Sequence, residues 1–357
     1  MGKKILMKGN EAVAEAAIRA GCKYFFGYPI TPQNEIPEYM SRELPKRGGV
    51  YLQAEAEFAA ANMLYGAAGA GVRVMTSSSS PGISLMAEGI SYMVGAQLPC
   101  VIVNMVRGGP GLGNIAPAQS DYMQAVKGMC HGDVHLIVLA PSSIQEAVDL
   151  MYDAFDLADM YRNPVILLGD GMIGQMMEPV EFKESTNKNL PFKPWATTGT
   201  RNSSDGKPRV INSLSIEPED LENLNIELQK KYKIIVEKEV RYEEYKMDKD
   251  VEIIFAAYGT TSRIVKYVIK KLEEEGIKAG LIRPITLWPF PEKIFANWVS
   301  NSSAKFILTV EMSSGQMIED VKLSVNGKKP VYFYGRTGGM VPEPKDIINY
   351  IKSLINK

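Results

Sequence analysis

Residues 99–106 (PCVIVNMV) are apolar almost without a break, and residues 136–140 (LIVLA) and 164–168 (PVILL) repeat the pattern. A strand with one wet face alternates polar and apolar side chains. A strand that reads apolar throughout is covered on both faces, as in a parallel sheet. Helix-like segments separate these runs. Residues 10–20 (NEAVAEAAIRA) are amphipathic, with Asn10 as the expected N-cap and Gly21 as the stop. Residues 24–26 form a short apolar run, 57–70 an Ala-rich buried helix, 72–76 a strand, 82–95 a helix and 144–161 a long helix. Covered strands alternating with helices predict a doubly wound α/β domain.

The rhythm breaks over residues 185–248, which are polar and highly charged, with a surface helix expected over 217–241. A second α/β unit begins at Val251. Its expected strands are 253–257, ending at Tyr258-Gly259-Thr260-Thr261-Ser262, then 279–282, 306–311 and 331–334. A helix over 263–275 is closed by Gly276. With 357 residues the chain has room for two domains. The expected division is 1–185, a connecting segment 186–248, and 249–357.

A net charge of −1 leaves no electrostatic footprint for nucleic acid or an anionic membrane. No uncharged apolar run approaches the length of a membrane span. The basic N-terminus lacks the apolar core of a signal peptide. Three scattered cysteines (Cys22, Cys100, Cys130) and no CxxC pair argue for a reducing compartment. They also leave this chain without a cysteine-ligated cluster or zinc site of its own. The expectation is a cytoplasmic protein.

Chemistry concentrates in a few places. In Gly27-Tyr28-Pro29-Ile30-Thr31-Pro32 two prolines fix φ and push their predecessors toward extended backbone, so the Thr31 hydroxyl is held in one place. Plain turn chemistry would give the same letters. Glu55 and Glu57 stand where an Ala-rich helix opens; they could meet a ligand, or only complement the helix dipole in solvent. Arg107 follows the 99–106 strand, at the end where open α/β sheets place ligands. The loop Gly108–Asn114 (GGPGLGN) lets backbone approach a ligand closely, or is only a lid. Ser80, before Pro81-Gly82, reads as a helix N-cap. Cys130, His131 and His135 have zinc-like spacing but no evident fourth ligand. The abundant methionines read as core filling.

Tyr28-Pro29-Ile30-Thr31-Pro32, the acidic pair near Glu57, Ser80-Pro81-Gly82 and Arg107-Gly108-Gly109-Pro110 occur in an order and spacing that resembles the alpha subunits of 2-oxoacid:ferredoxin oxidoreductases. The resemblance covers nearly the whole chain and is nearest to subunits serving branched-chain 2-oxo acids such as 3-methyl-2-oxobutanoate (2-ketoisovalerate). It implies a thiamine-diphosphate-binding, pyrimidine-type doubly wound domain followed by a transketolase C-terminal-like α/β domain. It implies that Glu57, with Glu55 as the fallback, bonds the cofactor's ring nitrogen N1′ and drives the tautomer that takes the C2 proton. Thr31 and Arg107 would hold the substrate carboxylate, Arg through its fixed fork. Tyr28, Pro29 and Ile30 would lie against the cofactor.

The implied reaction converts a 2-oxo acid, CoA and oxidised ferredoxin to acyl-CoA, CO₂ and reduced ferredoxin. Gly169-Asp170-Gly171 has the opening letters of the family's diphosphate motif. The closing Asn pair is missing, since Ala196-Thr197-Thr198-Gly199-Thr200 stands in its window, so a tight turn is expected. Mg²⁺ and the diphosphate would then sit on a beta subunit and the iron–sulfur clusters on partners, with gamma and ferredoxin-like delta subunits implied. Residues 108–120 carry no Lys or Arg, while Leu112 and Ile115 fit an apolar substrate tail. This disfavours the 2-oxoglutarate enzyme as an alternative. A complete transketolase-like transferase and a non-catalytic assembly subunit are the readings from other classes.

Overall fold

A computed structural model describes residues 4–183, 191–200 and 205–355. The expected boundary at 185/186 lies outside the described residues. The strands are β1 (Ile5–Lys8), β2 (Tyr24–Gly27), β3 (Val50–Gln53), β4 (Val74–Ser78), β5 (Val101–Val106), β6 (Ile137–Leu139), β7 (Val165–Asp170), β8 (Met177–Val180), β9 (Tyr242–Tyr245), β10 (Ile253–Ala256), β11 (Ala279–Pro284), β12 (Thr286–Trp288), β13 (Phe306–Glu311) and β14 (Val331–Gly335). The helices are α1 (Gly9–Arg19), α2 (Glu35–Glu43), α3 (Glu57–Gly69), α4 (Pro81–Gly95), α5 (Tyr122–Val126), α6 (Ile144–Tyr161), α7 (Gly171–Gln175), α8 (Pro218–Lys238), α9 (Gly259–Glu274), α10 (Glu292–Asn301), α11 (Met317–Val325) and α12 (Pro344–Ile355).

The expected doubly wound sheet is present, with strand order β12-β6-β7-β5-β4-β2-β3, parallel except for β12. Strands β4, β5 and β7 are buried at every residue, as the near-continuous apolar runs of β5 and β7 require. The chain leaves β2 for β3 on one side and then crosses through α3 to β4 on the other. The carboxyl ends of β2 and β4 therefore flank a topological switch point, where such sheets form crevices. The second sheet runs β14-β13-β10-β11-β9, parallel except for β9.

The two sheets share a core. One apolar cluster joins Leu64 and Ile83 of α3 and α4 to Ile254 of β10, Phe295 of α10 and Val321 of α11. Gln119 pins the units further: its amide donates to the Tyr258 carbonyl (2.9 Å), and its side-chain oxygen accepts from Met312 N (3.0 Å) and the Thr261 hydroxyl (3.2 Å).

Two local readings need correction, and one strand appears where none was expected. Asn10 does not cap α1; Lys8 holds that position, and the Asn10 amide is buried, donating to the Pro32 carbonyl (2.8 Å) and to Glu35 (2.7 Å). Helix α9 begins at Gly259, because Gly259-Thr260-Thr261-Ser262 forms its first turn. The stretch after β11 holds β12, which joins the first sheet antiparallel to β6. A three-residue strand between prolines has no periodicity to read; its partner strand creates it.

Candidate active site

Every element ending at the switch point contributes a side chain. The loop after β2 carries Tyr28, Pro29, Ile30 and Thr31; α3 opens with Glu57; β4 ends in Ser77-Ser78; Arg107 follows β5. The proline loop is clamped from beneath. Asn10 and the Gln175 amide (3.0 Å) both donate to the Pro32 carbonyl, and the Thr31–Pro32 peptide is cis. Burial pushes the Glu35 carboxyl up, but bonds from Asn10, Gln175 and Lys8 outweigh it and hold the group below its ordinary value.

The structure separates the two glutamates. Glu57 is buried, at 5 % exposure, whereas Glu55 faces solvent. Glu57 lies against the first turn of α4: a Cβ built on Gly82 would stand 2.5 Å from Glu57 Oε1 and 2.1 Å from Ser78 Oγ. Burying a carboxyl group costs free energy that leaving it in solvent would not, so Glu57 calls for a partner.

Arg107 is also buried, at 6 % exposure. Its guanidinium donates to the Thr31 carbonyl (3.0 Å) and the Leu112 carbonyl (3.0 Å), tying the proline loop to the glycine loop. Two of its five N–H donors are thereby used, and the buried Nε–H has no partner. The Thr31 hydroxyl accepts from Asn34 (3.2 Å). The glycine loop is tightly built: Asn114 N donates to the Gly108 carbonyl (2.9 Å), and the Asn114 amide reaches the Gly338 carbonyl of the second unit (2.8 Å). Leu112 and Ile115 point outward, at 81 % and 63 % exposure, so within this chain they do not enclose a pocket.

The sequence does not single out Gln33, and the serine run 77–80 reads there only as the start of a helix. Gln33 is fully buried; its side-chain oxygen accepts from the Ser77 hydroxyl (2.5 Å) while Nε2 has no partner. Ser78 Oγ is likewise buried and unpartnered. An unpartnered buried polar group costs about 1–3 kcal/mol, so Gln33 Nε2, Ser78 Oγ and Arg107 Nε are each open to a further partner. Ser80 is strained, at φ 22°, and is not the side-chain N-cap expected of it. Its hydroxyl accepts from Arg107 N (3.1 Å), and its own N–H donates to Asn104 Oδ1 (3.1 Å). The signal for these groups was the run of four serines, residues 77–80, ending a strand beside the proline loop.

The remaining motifs fall elsewhere. Asp170 caps α7, accepting from Met172 N (2.8 Å) and Ile173 N (3.2 Å); burial lifts its carboxyl above the ordinary value despite those bonds. Thr197 bonds the Gly69 carbonyl at the far end of α3 from Glu57. His135 stacks on Trp288 (centroids 4.6 Å apart) beside a cavity of about 820 Å³, lined also by Phe290, Val236 and Lys293. Among the described residues no cluster of His, Cys, Asp and Glu could hold a metal ion, and no helix is long and apolar enough to cross a membrane.

Residues 15–247 match the family model described as pyruvate flavodoxin/ferredoxin oxidoreductase, thiamine diP-bdg, and residues 251–347 match pyruvate:ferredoxin oxidoreductase core domain II. The chain belongs to the 2-oxoacid:ferredoxin oxidoreductases. It is 49 % identical to ketoisovalerate oxidoreductase subunit VorB of Methanothermobacter marburgensis, over 98 % of this chain and 97 % of that one. The 2-oxoglutarate:ferredoxin oxidoreductase of Magnetococcus marinus superposes with a TM-score of 0.86 at 26 % identity, over 99 % of this chain and 66 % of that chain. A split-gene transketolase in an inactive β4 tetramer shares the fold at TM-score 0.58 and 14 % identity, over 100 % of this chain and 99 % of that chain. The expected fold class is thus borne out, and the chain carries the thiamine-diphosphate-binding domain of an oxidoreductase family. A nitrogen heterocycle offers donors and acceptors along one edge, and the buried Glu57 carboxyl with the unpartnered Ser78 Oγ and Gln33 Nε2 are side-chain groups of the kind that fit such an edge.

Proposed function

We propose that this chain is the alpha subunit of a ferredoxin oxidoreductase for branched-chain 2-oxo acids, converting 3-methyl-2-oxobutanoate, CoA and oxidised ferredoxin to acyl-CoA, CO₂ and reduced ferredoxin. The observation that carries the reading is the buried Glu57 carboxyl at the switch point, with Arg107 and Thr31 tied together across the same crevice. When bound, thiamine diphosphate supplies the nucleophilic carbon and the electron sink for decarboxylation. In this reading Glu57 holds a proton at the cofactor's ring nitrogen, and its burial keeps water from competing for it. Arg107, with Nε–H and further N–H groups uncommitted, and the Thr31 hydroxyl orient the substrate carboxylate. Tyr28, Pro29 and Ile30, on the rim of the crevice, pack against the cofactor.

The diphosphate and Mg²⁺ belong in this reading to a beta subunit and the iron–sulfur clusters to partner subunits, with gamma and ferredoxin-like delta subunits among the partners and ferredoxin in the cytoplasm as the electron acceptor. Residues 1–185 form the pyrimidine-type domain, 186–248 the connecting segment and 249–357 the transketolase C-terminal-like domain. The similarity to the Magnetococcus enzyme supports 2-oxoglutarate as the second reading. The basic-free stretch 108–120 weighs against it, because a second substrate carboxylate needs a partner.

The test is methyl-viologen reduction by the purified native complex with CoA, comparing 3-methyl-2-oxobutanoate, 2-oxoglutarate and pyruvate. The branched acid should give the highest kcat/KM. Glu57→Gln should lower kcat by about 10²–10⁴-fold, the usual span for a positioned acid or base. A preference for 2-oxoglutarate would overturn the substrate assignment, and full activity in Glu57→Gln would overturn the role of Glu57.

A further inference from the structure

We propose that Gly82 is a positioning residue for Glu57, acting through the side chain it lacks. This deepens, and rests on, the reading of Glu57 given above. Gly82 lies in the first turn of α4, where its N–H donates to the Ser79 carbonyl (2.8 Å). Its backbone has no positive φ, so its conformation does not demand glycine. In a helix, glycine costs about 1 kcal/mol relative to alanine, so its presence calls for another reason.

The surroundings supply one. A Cβ at Gly82 would stand 2.5 Å from Glu57 Oε1, 3.0 Å from Glu57 Cγ and 2.1 Å from Ser78 Oγ. All three atoms are in side chains, two of them at the ends, and no backbone atom is among them. Gly89, two turns along the same helical face, differs: its added Cβ would meet Ala61 Cβ at 2.8 Å, so that glycine serves the packing of α4 on α3. At Gly82 the first atoms an added methyl group meets are those of the Glu57 carboxyl arm and the Ser78 hydroxyl, and these must move. The missing Cβ therefore sets how far Glu57 reaches into the crevice.

The experiment is Gly82→Ala in the full complex, with Gly66→Ala in α3 as a control, since a Cβ at Gly66 meets nothing within 4 Å. Three quantities are read: the thermal midpoint of the cofactor-free complex, the Kd for thiamine diphosphate, and the C2 proton exchange rate of the bound cofactor followed by NMR in D₂O. The midpoint of Gly82→Ala should stay within about 2 °C of the parent. Its Kd should rise, and its exchange rate should fall on the order of a hundredfold, the effect of misplacing a catalytic group by about 1 Å.

In a Glu57→Gln background, Gly82→Ala should lower exchange no further, because the Ser78 hydroxyl it also displaces bears on cofactor binding and the carboxyl alone on the exchanging proton. A complex that fails to assemble, a midpoint that falls while exchange is unchanged, or losses that multiply in the double variant would each overturn the proposal. Normal exchange in Glu57→Gln alone would instead remove the reading on which it rests.

Discussion

Arg107 offers the sharpest test of how the crevice is assembled. Arg107→Lys keeps the charge but replaces a planar fork with a single ammonium. The fork now spans two carbonyls on separate loops, Thr31 and Leu112, at 3.0 Å each. A lysine can keep one of these bonds. A hydrogen bond from a charged donor is worth about 1.5–3 kcal/mol. Leu112 is exposed, and water replaces part of what its carbonyl loses, so a net cost of about 1–2 kcal/mol is expected. At about 1.4 kcal/mol per decade, that is a shift of five- to thirtyfold in how well the two loops stay tied.

The substrate carboxylate would also lose a two-pronged partner, so KM for the 2-oxo acid should rise at least about tenfold, with CoA KM unchanged. Methyl-viologen reduction gives both constants, and urea unfolding of the cofactor-free complex gives the stability change. Unchanged KM together with unchanged stability would refute the argument. Lost stability with unchanged KM would reduce Arg107 to a strut between loops.

Two other expectations follow from particular contacts. Gly113 sits at φ 61°, and a Cβ there would stand 1.7 Å from the backbone oxygen of Gly108. Gly113→Ala should therefore open the glycine loop, costing about 2 kcal/mol or more and lowering kcat/KM; wild-type kinetics would count against a role for that loop's shape. Burial, aided by the Arg162 charge, pushes the Lys231 ammonium down from 10.5 to about 7. Between those values the unfolded chain binds the proton and the folded chain does not, so stability should rise with pH from about 7 toward 10. Lys231→Met should be the more stable protein at pH 6 by about 1–2 kcal/mol, net of lost bonds to Gln97 and Arg162, and its advantage should shrink by pH 10. Parallel urea midpoints across that range would expose an error as a constant offset.

What the sequence by itself determined was whatever depends on neighbours along the chain. The unbroken apolar runs of β5 and β7 require cover on both faces, and that condition alone dictates a parallel, doubly wound sheet. The proline loop, the start of α3 at Glu57 and the end of α6 at Tyr161 were legible for the same local reason. The tertiary structure decided the rest. Glu55 and Glu57 are chemically alike in sequence; only the packing of α4 against α3 buries one and leaves the other in water.

Asn10 has the composition of a helix cap, yet the approach of the proline loop turns it into a buried donor, because two carbonyl and carboxylate acceptors offer more than a first-turn amide. Strand β12 exists only because β6 presents an open edge to it, across a sequence separation of well over a hundred residues. Gln33 carries no local signal of function, and the serine run with Pro81-Gly82 shows by itself only where a helix starts. These residues acquire a signal of function where the crossing from β3 to β4 brings three separate segments to one crevice, and that meeting is a property of topology rather than of any stretch of sequence.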